Sequence, residues 1–431
     1  MAHPKDLHKL SAAGLLISLG IIYGDIGTSP LYVFKAIVGN WSITPDLILG
    51  GLSCIFWTLT LQTTIKYVII TLRADNRGEG GIFSLYSLVK RRAKWLVIPA
   101  MVGGASLLAD GMITPPITVS AAIEALQIFD EHLPTVPIVI VIISLLFIIQ
   151  QFGTSLVGKA FGPIMSVWFT MMAVLGASWV FQFPEILKAI NPYYAYHILA
   201  TNPKAPFIIG AVFLCTTGAE ALHSDLGHCG RSNIRISWIY VKSCLLLNYF
   251  GQGVWLWQHQ GQTLNADQNP FFLIMPQWFL IPGICIATMA AVIASQAMIT
   301  GSFTLISEAV RLNLWPKVKI NYPSNQKGQL YVPSINWLLW IGCIVVILIF
   351  KKSQAMEGAY GLAITLTFMM TTILMCVYLQ RKKFPTYLIV IFASIYGLLE
   401  ITFLTGNMAK FLHGGWFTML LSCIIFSVMW S

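Results

Sequence analysis

The chain has 431 residues, 57% hydrophobic and only 10% charged, with a formal net charge of +10. An ordinary soluble domain is about 25% charged, so this composition, with a mean hydropathy of +0.75, cannot keep a protein surface wet. It excludes a nucleic-acid binder, which needs its basic residues on one wet face, and a disordered chain, which needs low hydrophobicity. What remains is an all-α polytopic membrane protein.

A membrane-crossing helix needs about 20 mostly apolar residues. That rule gives about 12 transmembrane helices, at 11–39, 47–72, 95–129, 134–151, 156–183, 206–224, 236–258, 278–306, 331–350, 356–380, 384–405 and 411–430. The polar start, Met1 to Leu10, runs straight into a segment too long for a cleavable signal. Lys and Arg are retained on the cytoplasmic side of a membrane protein. With the N-terminus inside, 19 of them fall in cytoplasmic segments, among them Lys5, Lys9, Arg73, Arg77, Lys159 and Lys327. Five fall outside (Lys188, Lys204, Lys351, Lys352, Lys410), and Lys35 and Lys66 lie within spans. The basic excess therefore records topology, with N- and C-termini both cytoplasmic. The segment Ile82–Arg92 reads as a short amphipathic helix at the membrane interface, and equally well as a solvated connector. The eight cysteines are scattered singly, mostly in apolar runs, where Cys behaves as a small hydrophobe.

Most acids sit in loops, but Asp25, Asp110 and Glu220 do not. Each lies about 14–15 residues into its span, roughly 21–22 Å from the helix start at 1.5 Å per residue. All three land near the bilayer midplane, where an ionisable group is costly and by default faces a polar pathway. Glu124, Asp225 and Glu400 lie nearer helix ends or alone, and read as buried acids held for packing.

The surroundings of these acids break the helices that carry them. Span 1 reads Gly24-Asp25-Ile26-Gly27-Thr28-Ser29-Pro30-Leu31-Tyr32. Proline removes a backbone donor and clashes with the preceding turn, so span 1 is expected as two half-helices, the second starting near Pro30. Span 6 carries Thr216-Thr217-Gly218-Ala219-Glu220 at similar depth. Spans 1 and 6 begin two five-span blocks of opposite direction, and paired broken helices in such inverted repeats point to a transporter's substrate site. Both first halves aim their C-terminal carbonyls, where partial negative charge collects, at the break. With three carboxylates the site is cation-seeking. Asp110, Thr114 and Thr118 share one face at i, i+4, i+8, and Thr217 and Glu220 are at i, i+3. A threonine stripe in a membrane helix is more often interhelical glue; sharing a face with a midplane acid makes this one a candidate for function. His223 and His228, with Asp225 and Cys229, do not have the spacing of a closed zinc site.

The sequence resembles the KUP/HAK/KT family of potassium uptake transporters, in its bacterial form. The resemblance is carried by Gly24–Tyr32 (GDIGTSPLY), Asp110–Pro115 (DGMITP) with Ser120 and Ala122–Leu126 (AIEAL), Thr217–Leu222 (TGAEAL) with Asp225–Gly230 (DLGHCG), and Gly358–Thr365 (GAYGLAIT). It implies a LeuT-like core of the APC superfamily: a 5+5 inverted repeat (1–183 and 206–380), broken helices 1 and 6, and two extra helices in 384–430. It also implies potassium uptake coupled to protons, with Asp25, Tyr32, Asp110, Thr114, Thr118, Thr217, Glu220 and Tyr360 lining the K+ pathway. Glu220 and Asp110, then Asp25, are the proton-coupling candidates. Family members usually continue into a cytoplasmic C-terminal domain, which is expected to be absent from a sequence ending at Trp430-Ser431. The expected partners are K+, H+ and the lipid bilayer of the inner or plasma membrane, with a homodimer as the protein association to test, no nucleic acid and no cofactor. The alternatives are channel-like potassium conduction, against which stands the lack of a carbonyl-ring filter motif, and a cationic amino-acid or polyamine carrier of the same fold. No nucleophile–base pair rises above background, so an enzyme is not expected.

Overall fold

The computed structural model describes residues 10–76, 78–152, 158–265, 268–322 and 330–431, without the side chains of Gly158, Lys159 and His228. Lys5, Lys9, Arg77, Lys327, and the Lys159 and His228 side chains, therefore lie outside the described residues. The helices are α1 (Ala12–Ile21), α2 (Gly24–Thr28), α3 (Val33–Val38), α4 (Pro45–Thr58), α5 (Ile82–Val89), α6 (Val97–Ile123), α7 (Thr135–Gln150), α8 (Gly158–Val180), α9 (Pro192–Thr201), α10 (Ala205–Val212), α11 (Ala219–Ser224), α12 (Leu226–Cys229), α13 (Arg231–Gln258), α14 (Pro270–Leu273), α15 (Leu280–Arg311), α16 (Pro333–Phe350), α17 (Ser353–Arg381), α18 (Thr386–Ala409) and α19 (Gly415–Trp430). The chain is all-helical apart from loops and three isolated bridges among the described residues.

Local chemistry sets many of the ends. Ser11 caps α1 by accepting from Gly14 N–H (3.0 Å), and Thr44 caps α4 by accepting from Leu47 N–H (3.2 Å) with Pro45 in the first turn. After Thr58 the α4 rod continues as a π-helix over Leu59–Ile70, a form that concentrates at functional sites.

Among the described residues, eight helices are long and apolar enough to cross a membrane, and nine if the bent pair α1 and Gly24–Leu31 is one span. Three further expected spans exist as helices that fall short of that standard. α7 and α19 are 16 residues long. α13 has 28 residues but carries Asn233, Ser237, Asn248 and Gln252 on its buried face. Large apolar side chains such as Val141, Leu145, Ile341, Leu398 and Ile401 face outward while Gln62, Lys66, Asn248 and Gln252 are buried. That inverts the usual soluble pattern and fits a lipid solvent.

α6 lies at the centre, packed on α15, α16, α17 and α19, while α8 and α13 pair on the flank and α1 leans on α8. The expected interfacial helix over 82–92 ends at Val89 and is drawn inward: Ile82, Phe83, Leu85 and Val89 are buried. Gly103 and Gly104 open a groove in α6 for it. A Cβ on Gly103 would stand 2.1 Å from Ile82 Cδ1, and one on Gly104 2.3 Å from Phe83 Cζ.

The break in span 1 falls earlier than the proline indicates. The axis bends by 68° between Ile21 and Gly24, before Asp25, and Pro30 sits comfortably in a short 3-10 turn, Ser29–Leu31. At the bend Gly24 lets α15 pack closely, with Ala294 Cα 2.7 Å from where a Cβ would be. The break in span 6 falls where the sequence places it. α10 tightens to a 3-10 turn at Phe213–Thr216, Thr217 is extended, and Gly218 is left-handed at φ +80°.

Candidate functional site

The two breaks meet. A Cβ on Gly218 would stand 2.8 Å from Ile26 N and 3.0 Å from Asp25 Cβ and Oδ2. Only glycine meets both the positive φ and the close approach. Asp25 is thereby held in the first turn of α2.

Asp25, Asp110 and Glu220, the acids expected at the midplane, are each buried and receive hydroxyl donors. Tyr360 Oη donates to Asp25 at 3.0 Å from Oδ1 and 3.2 Å from Oδ2. Thr114 Oγ1 donates to Asp110 Oδ1 at 3.0 Å, one helical turn away. Tyr67 Oη and Thr371 Oγ1 (2.7 Å) both donate to Glu220 Oε1. Around Asp25, Ser29 Oγ lies 3.2 Å from Thr217 Oγ1, and Tyr32 Oη lies 3.4 Å from Ser29 Oγ and 3.5 Å from Thr217 Oγ1. The Tyr32 and Tyr360 rings meet edge-on at 6.4 Å. Thr118 Oγ1 is buried without a hydrogen-bond partner among the described residues.

A cavity of about 50 Å³ is lined by Asp25, Asp110, Glu220 and Asp225, with small residues of α15 (Ala297, Gly301, Ser302) as the far wall. That is room for a few waters. Among the described residues no Lys, Arg or His lines it, so the polar surface of the cavity is acidic. Its wall runs one way from the acids. Ile21, Ile22 and Leu107 precede Asp25 and Asp110 in chain order, and Ser224, Asp225 and Leu305 lead toward the ends of α11 and α15. Tyr32, Thr114, Thr118, Thr217 and Tyr360 do not line it. Tyr32, Thr217 and Tyr360 form a hydrogen-bonded layer with Ser29 and Asp25 instead.

The irregular backbone of span 1 is served by donors from elsewhere. Trp168 Nε1 donates to Gly27 O (3.0 Å), Gln252 Nε2 to Pro30 O (3.1 Å) and Asn269 Nδ2 to Leu31 O (2.7 Å). Those carbonyls are engaged by side chains, and the acids and hydroxyls carry the site's negative character. In α6, Pro115 and Pro116 cannot donate to the carbonyls of Gly111 and Met112, the two residues that follow Asp110.

Sequence reading missed Tyr67, Thr371, the α15 wall and Asp225. Tyr67 and Thr371 lie in apolar runs with no local mark. Asp225, assigned to packing, was legible as the next acid after Glu220. Glu400, read the same way, is buried with Lys66 at 2.5 Å. Glu124 accepts from Ser353 N (2.6 Å) and Oγ (2.5 Å), capping the start of α17. His223 joins loop to helix: Gly81 N–H donates to its Nδ1 (3.2 Å), and Nε2 lies 3.0 Å from Ala74 O.

Residues 12–431 match the family model described as the K+ potassium transporter integral membrane domain. The chain is 60% identical over 437 residues to a protein of Flavobacterium johnsoniae named "Probable potassium transport system protein Kup", spanning 99% of this chain and 66% of that one. It is 63% identical over 427 residues to the Cytophaga hutchinsonii protein of the same name, spanning 98% and 65%. The chain thus spans just under two thirds of the length of these relatives. Among solved structures, a Na+-coupled sialic acid symporter in a substrate-bound outward-open state aligns with TM-score 0.54 at 15% identity, over 96% of this chain and 90% of that one, which is a likeness of fold. With a family match over nearly its whole length, this chain belongs to the K+ potassium transporter integral membrane domain family.

Proposed function

We propose that the chain is the membrane part of a secondary potassium uptake carrier that moves K+ inward with H+ by alternating access. The observation that carries this reading is the cavity at the meeting of the two helix breaks, lined by Asp25, Asp110 and Glu220, with no Lys, Arg or His among its described lining residues. Such a surface attracts a cation. The cavity has room for a monovalent ion with part of its water shell. The names of the relatives, potassium transport system proteins, and the symporter fold support a K+ carrier over a channel.

In this reading the twelve helical segments form two five-span repeats, 1–183 and 206–380, with 384–430 adding two. The termini are cytoplasmic and the host is the inner or plasma membrane. The cavity then opens toward the cytoplasm, while the Tyr32–Thr217–Tyr360 layer closes the outer side. Rocking of one bundle against the other exposes the same acids outward. Glu220 and Asp110 are the favoured proton carriers, with Asp25 third. The cycle needs no cofactor, and a homodimer is compatible with it.

The test is rubidium uptake in cells lacking their own potassium systems. Asp25→Asn, Asp110→Asn and Glu220→Gln are each expected to abolish uptake with normal membrane abundance, and uptake by the parent is expected to rise as external pH falls. Parent-like uptake by all three amide variants overturns the site. A flat pH profile overturns the proton coupling alone.

A further inference from the structure

Away from the cavity lies a buried carboxylate, Glu400, that the transport reading does not use. Lys66 Nζ stands 2.5 Å from Glu400 Oε1, with both side chains at most 1% exposed. The ammonium also donates to Phe368 O at 3.1 Å and lies 4.9 Å from the Tyr67 ring centroid and 5.1 Å from that of Phe368. Glu400 Oε1 accepts in addition from Thr372 Oγ1 (2.8 Å) and Gln62 Nε2 (3.4 Å). A buried ion pair is weak evidence for stability, because desolvation of both partners offsets their attraction. Its presence here has another geometric consequence.

The sequence neighbours of its members hold Glu220. Lys66 reaches Glu400 and the next residue, Tyr67, reaches Glu220. On α17, Thr372 reaches Glu400 and the preceding residue, Thr371, reaches Glu220. Two consecutive residues on each of two elements thus bridge the same two carboxylates. The Lys66–Tyr67 pair sits in the π-helical stretch Leu59–Ile70. The wider π turn, bonded i to i+5, brings consecutive side chains closer in direction than an α turn does. Any shift of Lys66 or Thr372 on Glu400 carries Tyr67 or Thr371 with it, and so moves the donors on Glu220.

We propose that the Lys66–Glu400 pair is a positioning clamp for Glu220. It fixes the π-helix against α17 and α18, so that Tyr67 and Thr371 present Glu220 to the cation in one geometry. Lys66 and Glu400 are positioning residues that act through these two donors. The proposal rests on the reading of Glu220 as one of the acids that line the cation's cavity.

The experiment is rubidium uptake kinetics on the whole protein, with membrane abundance measured in parallel. The double variant Lys66→Gln/Glu400→Gln leaves no unpaired buried charge. It is expected to raise KM for Rb+ about tenfold, the usual scale for losing an outer partner of a metal ligand, with Vmax little changed. Added to Tyr67→Phe/Thr371→Val, it should raise KM no further. A parental KM in the Gln pair overturns the proposal, and so does a rise that adds fully to that of the Tyr67/Thr371 variant. If the Gln pair does not reach the membrane, Glu400→Asp, which keeps the charge and shortens the reach, decides: a raised KM supports the clamp and a parental KM overturns it. Glu220→Gln separates the two levels. Parent-like uptake there sinks the reading of Glu220 itself, whereas a dead Glu220→Gln beside a parental Gln pair sinks only the clamp.

Discussion

Gly218 shows how much can depend on one absent methyl group. Its φ of +80° and the 2.8 Å approach to Ile26 N place the break of span 6 directly on Asp25. Gly218→Ala incurs the cost of a left-handed alanine, about 1 kcal/mol, and also forces two backbones apart where the two breaks meet. The expected result is loss of most rubidium uptake, with a lowered thermal midpoint of the purified protein in detergent. Gly218 and the three acids were legible because each is anomalous where it stands, a helix breaker or a charge at membrane depth. Tyr360 was the weakest residue of the resemblance, since a tyrosine inside an apolar span is ordinary. The structure puts its hydroxyl on both Asp25 oxygens.

At the scale of elements, broken helices require outside help. The bend at Ile21–Gly24 and the 3-10 turn at Ser29–Leu31 leave carbonyls that α8, α13 and the loop before α14 satisfy through Trp168, Gln252 and Asn269. This explains why α13 is too polar to resemble a lipid-spanning helix: Gln252 and Asn248 on its buried face bond each other at 2.7 Å, and Gln252 reaches Pro30. Gln252→Leu leaves the Pro30 carbonyl buried and unpaired. An orphaned buried acceptor costs about 1–3 kcal/mol, so thermal unfolding in detergent should begin at lower temperature, with α13 itself still formed by circular dichroism. An unshifted midpoint would mean another donor replaces it. The position of the span 1 break was misjudged for a related reason. Proline is a strong local signal, but it fits a short 3-10 turn, while the hinge lies at Ile21–Gly24, where α15 packs closely on Gly24, a contact with no mark in span 1.

At the scale of the whole molecule, the cavity is one-sided. Its wall runs from the acids toward the ends of α11 and α15, and the Tyr32–Thr217–Tyr360 layer lies on the other side of Asp25. Gly301 lines the cavity, and no atom lies within 4 Å of the place a Cβ would take there, so Gly301→Cys should fold and place a thiol in the passage. Introduced over the native cysteines, it is expected to react with a membrane-impermeant thiol reagent from the face that carries the N-terminus and to be slowed by K+. Labelling from the opposite face alone would reverse the orientation of the cavity.

The amino-acid sequence by itself determined the class of this protein, the two broken helices and three acids set within long apolar stretches. Those follow from costs that each residue bears wherever the chain goes: a charge out of water, a glycine or proline within a helix. Only the tertiary structure decided which donors hold each acid, that Asp225 shares the cavity, and that Lys66 meets Glu400. These contacts join residues 335, 151 and 334 positions apart for Tyr360–Asp25, Thr371–Glu220 and Lys66–Glu400. Hydroxyls and paired charges of that kind are indistinguishable from packing until the helices that carry them are brought side by side.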